Sequence, residues 1–149
     1  MHRRELLTLA GSGLLATVTK PALAGPLDKY QWKRRLLLVF APVKPHPNLV
    51  VQRRRLQAAA EGLKDREITV IEVVQDSVFV DGRVAIELNA KALRKEFGAS
   101  IIEFTAILIG KDGAEKLRRD EPLTADELFK RVDAMPMRQQ EMRQRGQKT

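Results

Sequence analysis

Three short apolar runs mark the predicted strands of this chain. Leu36–Phe40 is a continuous aliphatic run, bounded by Lys33–Arg35 before it and by Ala41-Pro42 after it. Ile68–Val74 and Phe104–Ile109 carry apolar residues at both odd and even positions. Because these runs are short and flanked by turn residues, they predict strands that are buried on both faces. Such strands need helices on both sides of the sheet, so the pattern predicts the α/β class.

Apolar residues spaced by three or four positions predict three helices. The first extends from Asn48 to Leu63, with Asn48 as its N-cap. The second begins after Asn89 and ends at Gly98, a residue that readily adopts the left-handed conformation found at helix ends. The third begins at Thr124, where the letters TADE form a capping-box pattern.

Two Asp-Gly pairs predict tight turns between strand-like segments. Asp112-Gly113 joins the third strand to a short strand at Glu115–Arg119, and Asp81-Gly82 predicts an inserted hairpin between Ser77–Val80 and Arg83–Ile86. A right-handed crossover makes the first two long strands parallel neighbours, and the Asp112-Gly113 turn makes the last pair antiparallel. The predicted fold is therefore thioredoxin-like, a central mixed sheet of about four strands flanked by helices, with an inserted hairpin. A flavodoxin-like sheet is the alternative, but it needs another helix at the Asp112-Gly113 turn.

The first 24 residues have the three-part pattern of an export signal. Arg3-Arg4 forms a basic start, Leu6–Val18 is uncharged and largely apolar, and Ala22–Ala24 offers small residues to a signal peptidase. We expect cleavage after Ala24 and a periplasmic or secreted location, with a retained anchor as the alternative. Arg3-Arg4 also resembles the twin-arginine motif, so both export routes stay open. The predicted organisation is an export signal at 1–24, a thioredoxin-like domain at 25–136 and a basic polar tail at 137–149.

The composition excludes several kinds of chemistry. The chain has no Cys, which excludes disulfides, thiolate metal sites, thiol–disulfide exchange and cysteine-dependent peroxidase activity. Three of its 27 basic and one of its 19 acidic residues lie within 1–24, which leaves 24 basic and 18 acidic side chains and a net charge of +6. His46 is then the only histidine, so sites that use several His ligands are excluded. We expect no metal, no cofactor and no catalytic residue.

Three blocks of sequence resemble the bacterial domain-of-unknown-function 4174 family (DUF4174). They are LDxYxWKxRxLLVFAP at Leu27–Pro42, a block at Phe104–Arg118 that contains IGKDG, and LFxxVDxMPMRxxEMR at Leu128–Arg143. The family is regarded as thioredoxin-like and related to peroxiredoxins, with similar domains in secreted vertebrate matrix and sushi-repeat proteins. The resemblance implies this fold and export, and it brings no established activity. In a working thioredoxin the redox pair follows the first strand, but here that position reads Pro42–Pro47 and contains no Cys.

The loop Pro42–Asn48 supplies the first candidate binding residues. Lys44, His46 and Asn48 follow a central strand and precede a helix, where backbone N–H groups would favour an anion or a carboxylate. The alternative is a proline-stiffened surface loop. Tyr30 and Trp32 are the second pair of candidates, because they alternate with basic residues in a pattern that suits nucleic acid or an acidic ligand. The alternative for this pair is packing against the sheet edge.

Other charged residues have structural interpretations. Arg53–Arg55 and Arg118-Arg119 read as solvated charged faces. The tail from Arg138 to Lys148 would either contact anionic lipid or peptidoglycan, or fray. Glu72 lies inside an apolar strand and would need an edge position or a partner such as Lys33 if it is not a functional acid.

These observations lead to three hypotheses. The first is an exported, non-redox binding module of the cell envelope, which contacts a protein or envelope component through Pro42–Asn48 and has no stable membrane span after cleavage. The second is a cysteine-independent enzyme that uses Lys44 and His46. The third, a nucleic-acid-binding domain, applies only if the chain is not exported, and we expect no nucleic-acid partner. Neither the ligand nor the oligomeric state can be read from the sequence.

Overall fold

The computed structural model describes residues 25–146, so the predicted export signal lies outside the described residues. A 3₁₀ turn at Asp28–Tyr30 precedes the first strand. The strands are β1 Arg35–Ala41, β2 Ile68–Val74, β3 Ser77–Val80, β4 Arg83–Val84, β5 Thr105–Ile109 and β6 Glu115–Arg119. The helices are α1 Pro47–Ala58, α2 Ala60–Asp65, α3 Ala90–Phe97, α4 Ala125–Asp133 and α5 Pro136–Gly146.

The strands form one mixed sheet in the order β4-β3-β2-β1-β5-β6. The parallel pairing of β1 with β2 confirms the predicted crossover, and the antiparallel pairing of β5 with β6 confirms the Asp112-Gly113 hairpin. The strand count differs from the predicted four because the β3–β4 hairpin is part of the sheet. Glu72 of β2 lies opposite Phe79 of β3, so the hairpin extends the β2 edge of the sheet.

Both faces of the central strands are covered, as the apolar runs predict. All seven residues of β1 are buried. Leu37 and Val39 belong to a core that includes residues of α1, α2 and α4, whereas Leu38 and Phe40 belong to the core beneath α3. The alternation of side chains along a strand produces this division, because successive residues point to opposite faces.

Two of the three predicted helix starts are confirmed. Asn89 Oδ1 accepts a hydrogen bond from the N–H of Ala92 at 2.8 Å, and Thr124 Oγ1 accepts one from the N–H of Glu127 at 3.1 Å. Gly98 ends α3 with a φ of 61°, as predicted. The prediction for the first helix is wrong in two respects, because its N-cap is His46 rather than Asn48 and because the chain leaves the helical conformation at Ala59.

The residues after Pro136 also differ from the sequence-based interpretation, which offered a frayed tail as one outcome. Residues 136–146 form helix α5, and Arg138 is buried with its guanidinium bonded to Asp133 and Asp65. The hydrogen bond from Arg138 is the main reason that the pKa of Asp65 lies below its usual value. The basic residues of this segment therefore hold α5 against the domain. Within residues 25–146, no helix has the length and apolar character needed to cross a bilayer.

Candidate functional site

The loop after β1 has a structural role at its centre. His46 Nδ1 accepts a hydrogen bond from the backbone N–H of Asn48 at 3.2 Å, and this bond caps the start of α1. The imidazole ring also stacks on Phe104, with the ring centroids 6.0 Å apart and the planes 13° from parallel. Because Nδ1 accepts this hydrogen bond, it is engaged at the start of α1 and is not free to contact a substrate.

Lys44 lines a groove of about 540 Å³ between α1 and the hairpin side of the sheet. We call it the α1 groove. Arg53, Leu56 and Gln57 of α1 form its wall, whereas Val70, Glu72 and Phe79 of β2 and β3 form its floor. Asp81-Gly82 in the β3–β4 turn lies opposite Val70, and Lys44 lies beyond the other end of β2. The groove therefore runs along β2, with Lys44 near one end and Asp81 near the other.

The α1 groove lies where the sheet extends beyond α1, because Phe79 of β3 is only partly buried and Val84 of β4 is exposed. Glu72, Phe79 and Val84 occupy paired positions on three neighbouring strands, so their side chains share a face of the sheet. Val84 is 64% exposed, which extends the apolar floor beyond Phe79 toward solvent. Sequence reasoning missed this surface. The signal in the sequence was the pair of apolar residues Phe79 and Val84, one on each arm of the predicted Asp81-Gly82 hairpin.

A partly buried ion pair joins the wall of the α1 groove to its floor. Arg53 Nε donates to Glu72 Oε2 at 2.7 Å, and the Glu72 side chain is largely buried. The predicted partner Lys33 is wrong, because Lys33 precedes β1 whereas Glu72 lies on the α1 face of β2, under Arg53. Arg53 is likewise not the solvated residue that the basic run predicted. A buried carboxylate without a partner is costly, so this pair fixes α1 on β2 and gives the groove a rigid centre.

The ends of the α1 groove carry opposite charges. Asp81 Oδ1 accepts a hydrogen bond from the N–H of Val70 at 2.9 Å, which holds the turn against β2. Lys44 makes no hydrogen bond or ion pair with any residue in 25–146. Lys44 is thus available to a ligand, and Asp81 is held in position.

The structure does not bring Tyr30 and Trp32 to the α1 groove. They precede the amino end of β1, whereas Lys44 follows its carboxyl end, and a seven-residue strand spans roughly 20 Å. Tyr30 packs partly against the α3-side core. Trp32 is 62% exposed and has a φ of 70°, and its backbone N–H donates to the carbonyl of Lys111. Packing against the sheet therefore describes Tyr30 but not the Trp32 side chain.

The described residues contain no catalytic constellation around Lys44. No group of three or more His, Asp or Glu side chains capable of holding a metal occurs within residues 25–146. The cysteine-free sequence lacks a thiol nucleophile. The α1 groove is concave and has an apolar floor and charged groups of both signs. These features are typical of ligand-binding sites.

Comparison with known proteins places the chain in a family. The sequence model of the family described as "Domain of unknown function (DUF4174)" matches residues 26–141. The chain is 33% identical over 123 residues to the sushi repeat-containing protein SRPX of Rattus norvegicus, and 31% identical over 134 residues to SRPX2 of Homo sapiens. These alignments cover 80% and 82% of this chain but only 26% and 27% of the relatives. The chain thus spans about a quarter of their length.

Solved structures with a similar fold are peroxiredoxins. A thioredoxin peroxidase I of Plasmodium yoelii superimposes with a TM-score of 0.56 at 17% identity, over 76% of this chain and 79% of that one. The Prx1a protein of Plasmodium yoelii gives 0.54 at 14% identity, over 76% and 80%. At this level of identity the likeness concerns the fold. The family match, the relatives and the sheet topology agree, and the chain belongs to the DUF4174 family, with a thioredoxin-like fold.

Proposed function

We propose that this protein is an exported, non-redox binding module whose α1 groove holds an extended polypeptide segment of a partner protein. The observation that carries the proposal is the uncovered sheet face beside α1. Apolar side chains line its floor there, and Lys44 and Asp81 flank it with opposite charges. Periplasmic or secreted location follows from the export pattern at 1–24, with Gly25 as the expected first residue of the mature protein.

The dimensions of the α1 groove suit a short peptide. From the level of Val70 to Lys44 the groove follows most of β2, a distance of roughly 15 Å at about 3.3 Å per strand residue. An extended segment of four or five residues has this length. The volume of the α1 groove, about 540 Å³, also lies in the range typical of ligand sites.

The lining predicts which side chains such a peptide carries. Leu56, Val70 and Phe79 would contact apolar side chains at alternate positions, because alternate residues of an extended chain face the same way. Lys44 would attract an acidic residue at one end, and Asp81 would attract a basic residue or an amino terminus at the other. Opposite charges at the two ends would fix the direction of the peptide.

The second hypothesis, an enzyme that uses Lys44 and His46, has no comparable support. The Nδ1 atom of His46 caps α1, and its ring stacks on Phe104. The peroxidase named among the similar structures shares 17% identity with this chain, and thiol chemistry requires a cysteine that the sequence lacks.

The test begins with the protein purified from the envelope fraction, so that its N-terminal sequence tests export in the same preparation. Peptides selected from a random library on the wild-type protein are then titrated against variants by isothermal calorimetry. Lys44→Glu should weaken binding about tenfold, which is the effect of a change of about 1.4 kcal/mol. Val84→Asp should weaken it by a similar factor, because it places a charge beside the apolar floor.

The matched control is Arg54→Glu, which makes the same charge change on α1 outside the groove lining. It should stay within twofold of wild type. Failure to select any saturable peptide, or equal weakening by Lys44→Glu and Arg54→Glu, would contradict the assignment of the α1 groove as the binding site.

A further inference from the structure

A second candidate site lies under α3, on the face of the sheet opposite the α1 groove. Its centre is Arg94, which is only 8% exposed. Arg94 Nη1 donates to the carbonyl oxygen of Gln75 at 2.6 Å, and Nη2 donates to that of Ala41 at 3.4 Å. The buried Nε has no hydrogen-bond partner among the described residues. The Arg94 side chain therefore connects the backbone at the carboxyl ends of β1 and β2. It forms no ion pair with a carboxylate of residues 25–146.

Arg94 differs in this respect from the other buried cations of residues 25–146. Arg35 and Lys111 both pair with Glu141, and Arg138 pairs with Asp133 and Asp65. Buried charges in proteins are normally neutralised by an opposite charge, because burial of an unpaired ion is strongly unfavourable. The two carbonyl oxygens accept hydrogen bonds from Arg94, but they do not neutralise its positive charge. A bound anion would neutralise it.

Arg94 is one of the residues that line a cavity of about 330 Å³. Its lining adds two exposed lysines, Lys91 and Lys95, neither of which forms an ion pair with any residue in 25–146. Ala99 and Ile101 form an apolar wall, and Ile101 is 71% exposed. Asp76 is the one acidic side chain among the lining residues. The cavity therefore combines three positive charges, one negative charge and an apolar side.

We propose that this cavity binds a small organic monoanion, a carboxylate that bears a short apolar group. The carboxylate would face Arg94, Lys91 and Lys95, and the apolar group would lie on Ala99 and Ile101. The apolar wall, rather than the charges, favours an organic carboxylate, because the three cations attract any anion whereas only a ligand with an apolar group buries surface on Ala99 and Ile101. An inorganic phosphate would also leave the apolar wall without a contact. This site is independent of the α1 groove, since the two lie on opposite faces of the sheet.

The test titrates the full chain with hexanoate, acetate and inorganic phosphate, followed by backbone amide NMR shifts. Hexanoate should bind saturably, with a dissociation constant on the order of 1 mM for a ligand of this size. Shifts should centre on residues 91–101. Acetate and phosphate should bind at least fivefold more weakly. Equal affinity for all three anions would contradict the role of the apolar wall, and the absence of saturable hexanoate shifts would overturn the site.

Variants distinguish hexanoate binding at this site from non-specific attraction of anions to a positively charged protein. Arg94→Gln is informative only if it folds, because Arg94 also bridges two strands. The double variant Lys91→Gln/Lys95→Gln changes exposed side chains and should weaken hexanoate binding at least fivefold. The control Arg54→Gln/Lys130→Gln removes the same charge outside the cavity and should leave hexanoate affinity within twofold. Equal losses in the two double variants would overturn the proposal.

Discussion

The carboxylate of Glu141 holds helix α5 on the domain, and its replacement by glutamine should be strongly destabilising. Arg35 donates to the two carboxylate oxygens from Nη1 and Nη2, each at 3.2 Å. Lys111 Nζ donates to Oε1 at 2.6 Å. Arg35 and Lys111 are both buried, whereas the Glu141 side chain keeps 17% of its surface exposed. Glu141→Gln leaves the buried Arg35 with no carboxylate partner, and it leaves Lys111 with only Glu67, whose Oε2 lies 3.3 Å from Nζ.

The magnitude follows from this geometry. Removal of one partner from a buried ion pair costs 3–5 kcal/mol, and the partial exposure of Glu141 places the expected loss at the low end, about 3 kcal/mol. The loss would lower the melting temperature by roughly 10 °C in a domain of this size. Glu121→Gln is the matched control, because Glu121 is exposed and makes no ion pair with a described residue. The control should change the free energy of unfolding by less than about 0.5 kcal/mol.

The effect should depend on pH in a defined direction. Burial alone would raise the pKa of Glu141, but hydrogen bonds from Lys111 and Arg35 and their positive charges outweigh it, so the pKa lies below its ordinary value of 4.5. A lowered pKa in the folded state means that the ionised carboxylate stabilises the fold above the unfolded pKa. The difference in free energy of unfolding between wild type and Glu141→Gln should therefore have its full size above about pH 5. It should become smaller as the pH falls below the ordinary pKa of the glutamate side chain.

Urea unfolding followed by circular dichroism measures these differences, and Lys111→Met completes a double-mutant cycle. Because Lys111→Met removes one of the two cations that Glu141 neutralises, the double variant should be less destabilised than the sum of the single variants. A free energy of unfolding for Glu141→Gln within about 0.5 kcal/mol of wild type at pH 7 would refute the reasoning. So small an effect would mean that the carboxylate does not stabilise the two buried cations. Strict additivity in the cycle would also refute it.

Two further predictions concern the start of α1 and its contact with the chain before α4. Gln52 is fully buried and makes two hydrogen bonds with the backbone of Leu123, donating from Nε2 at 3.1 Å and accepting at Oε1 at 2.8 Å. Gln52→Ala should cost about 3 kcal/mol in urea unfolding because it strands two buried backbone groups, whereas the exposed Gln57→Ala should be nearly neutral. His46→Ala should cost about 1 kcal/mol by removal of the N-cap, and His46→Asn should recover most of that loss because Asn is itself a good cap. Equal destabilisation by the Ala and Asn variants would show that the stack on Phe104, rather than the cap, determines the stability effect of His46.

The sequence predicted the parts of the fold that depend on local patterns. β2 was predicted with the bounds that the structure has, and so were β3 and β6. Asn89, Gly98 and Thr124 act at helix ends as predicted, because capping depends on residues within one turn of each other. Local patterns could not predict that the β3–β4 hairpin is part of the sheet. It depends on pairing with β2, and the sequence of a hairpin does not reveal which edge it joins.

The ion pairs were the least predictable feature of the domain. Arg35 and Glu141 are 106 residues apart in sequence, and Arg138 and Asp65 are 73 apart. The sequence of the C-terminal segment therefore predicted a basic tail that would contact anionic lipid or peptidoglycan, or fray. In three dimensions Arg138 and Arg145 meet Asp65 of α2, and Arg138 also meets Asp133 of α4. The same limitation hid the Arg53–Glu72 pair, which depends on the packing of α1 over β2.

The distribution of paired and unpaired cations gives the sheet two different ends. Arg35 begins β1, and Lys111 follows antiparallel β5, so the Glu141 cluster lies at the amino end of β1 and holds α5 there. At the carboxyl end, Lys44 follows β1 and Arg94 donates to Ala41, and neither meets a carboxylate among the described residues. Ligands of open α/β sheets bind outside the carboxyl ends of the strands. At the amino end, Arg35 and Lys111 share Glu141, so neither needs an anion from outside the domain. Lys44 and Arg94 meet no carboxylate of residues 25–146, and they lie at the end of the sheet where a ligand of this fold is expected.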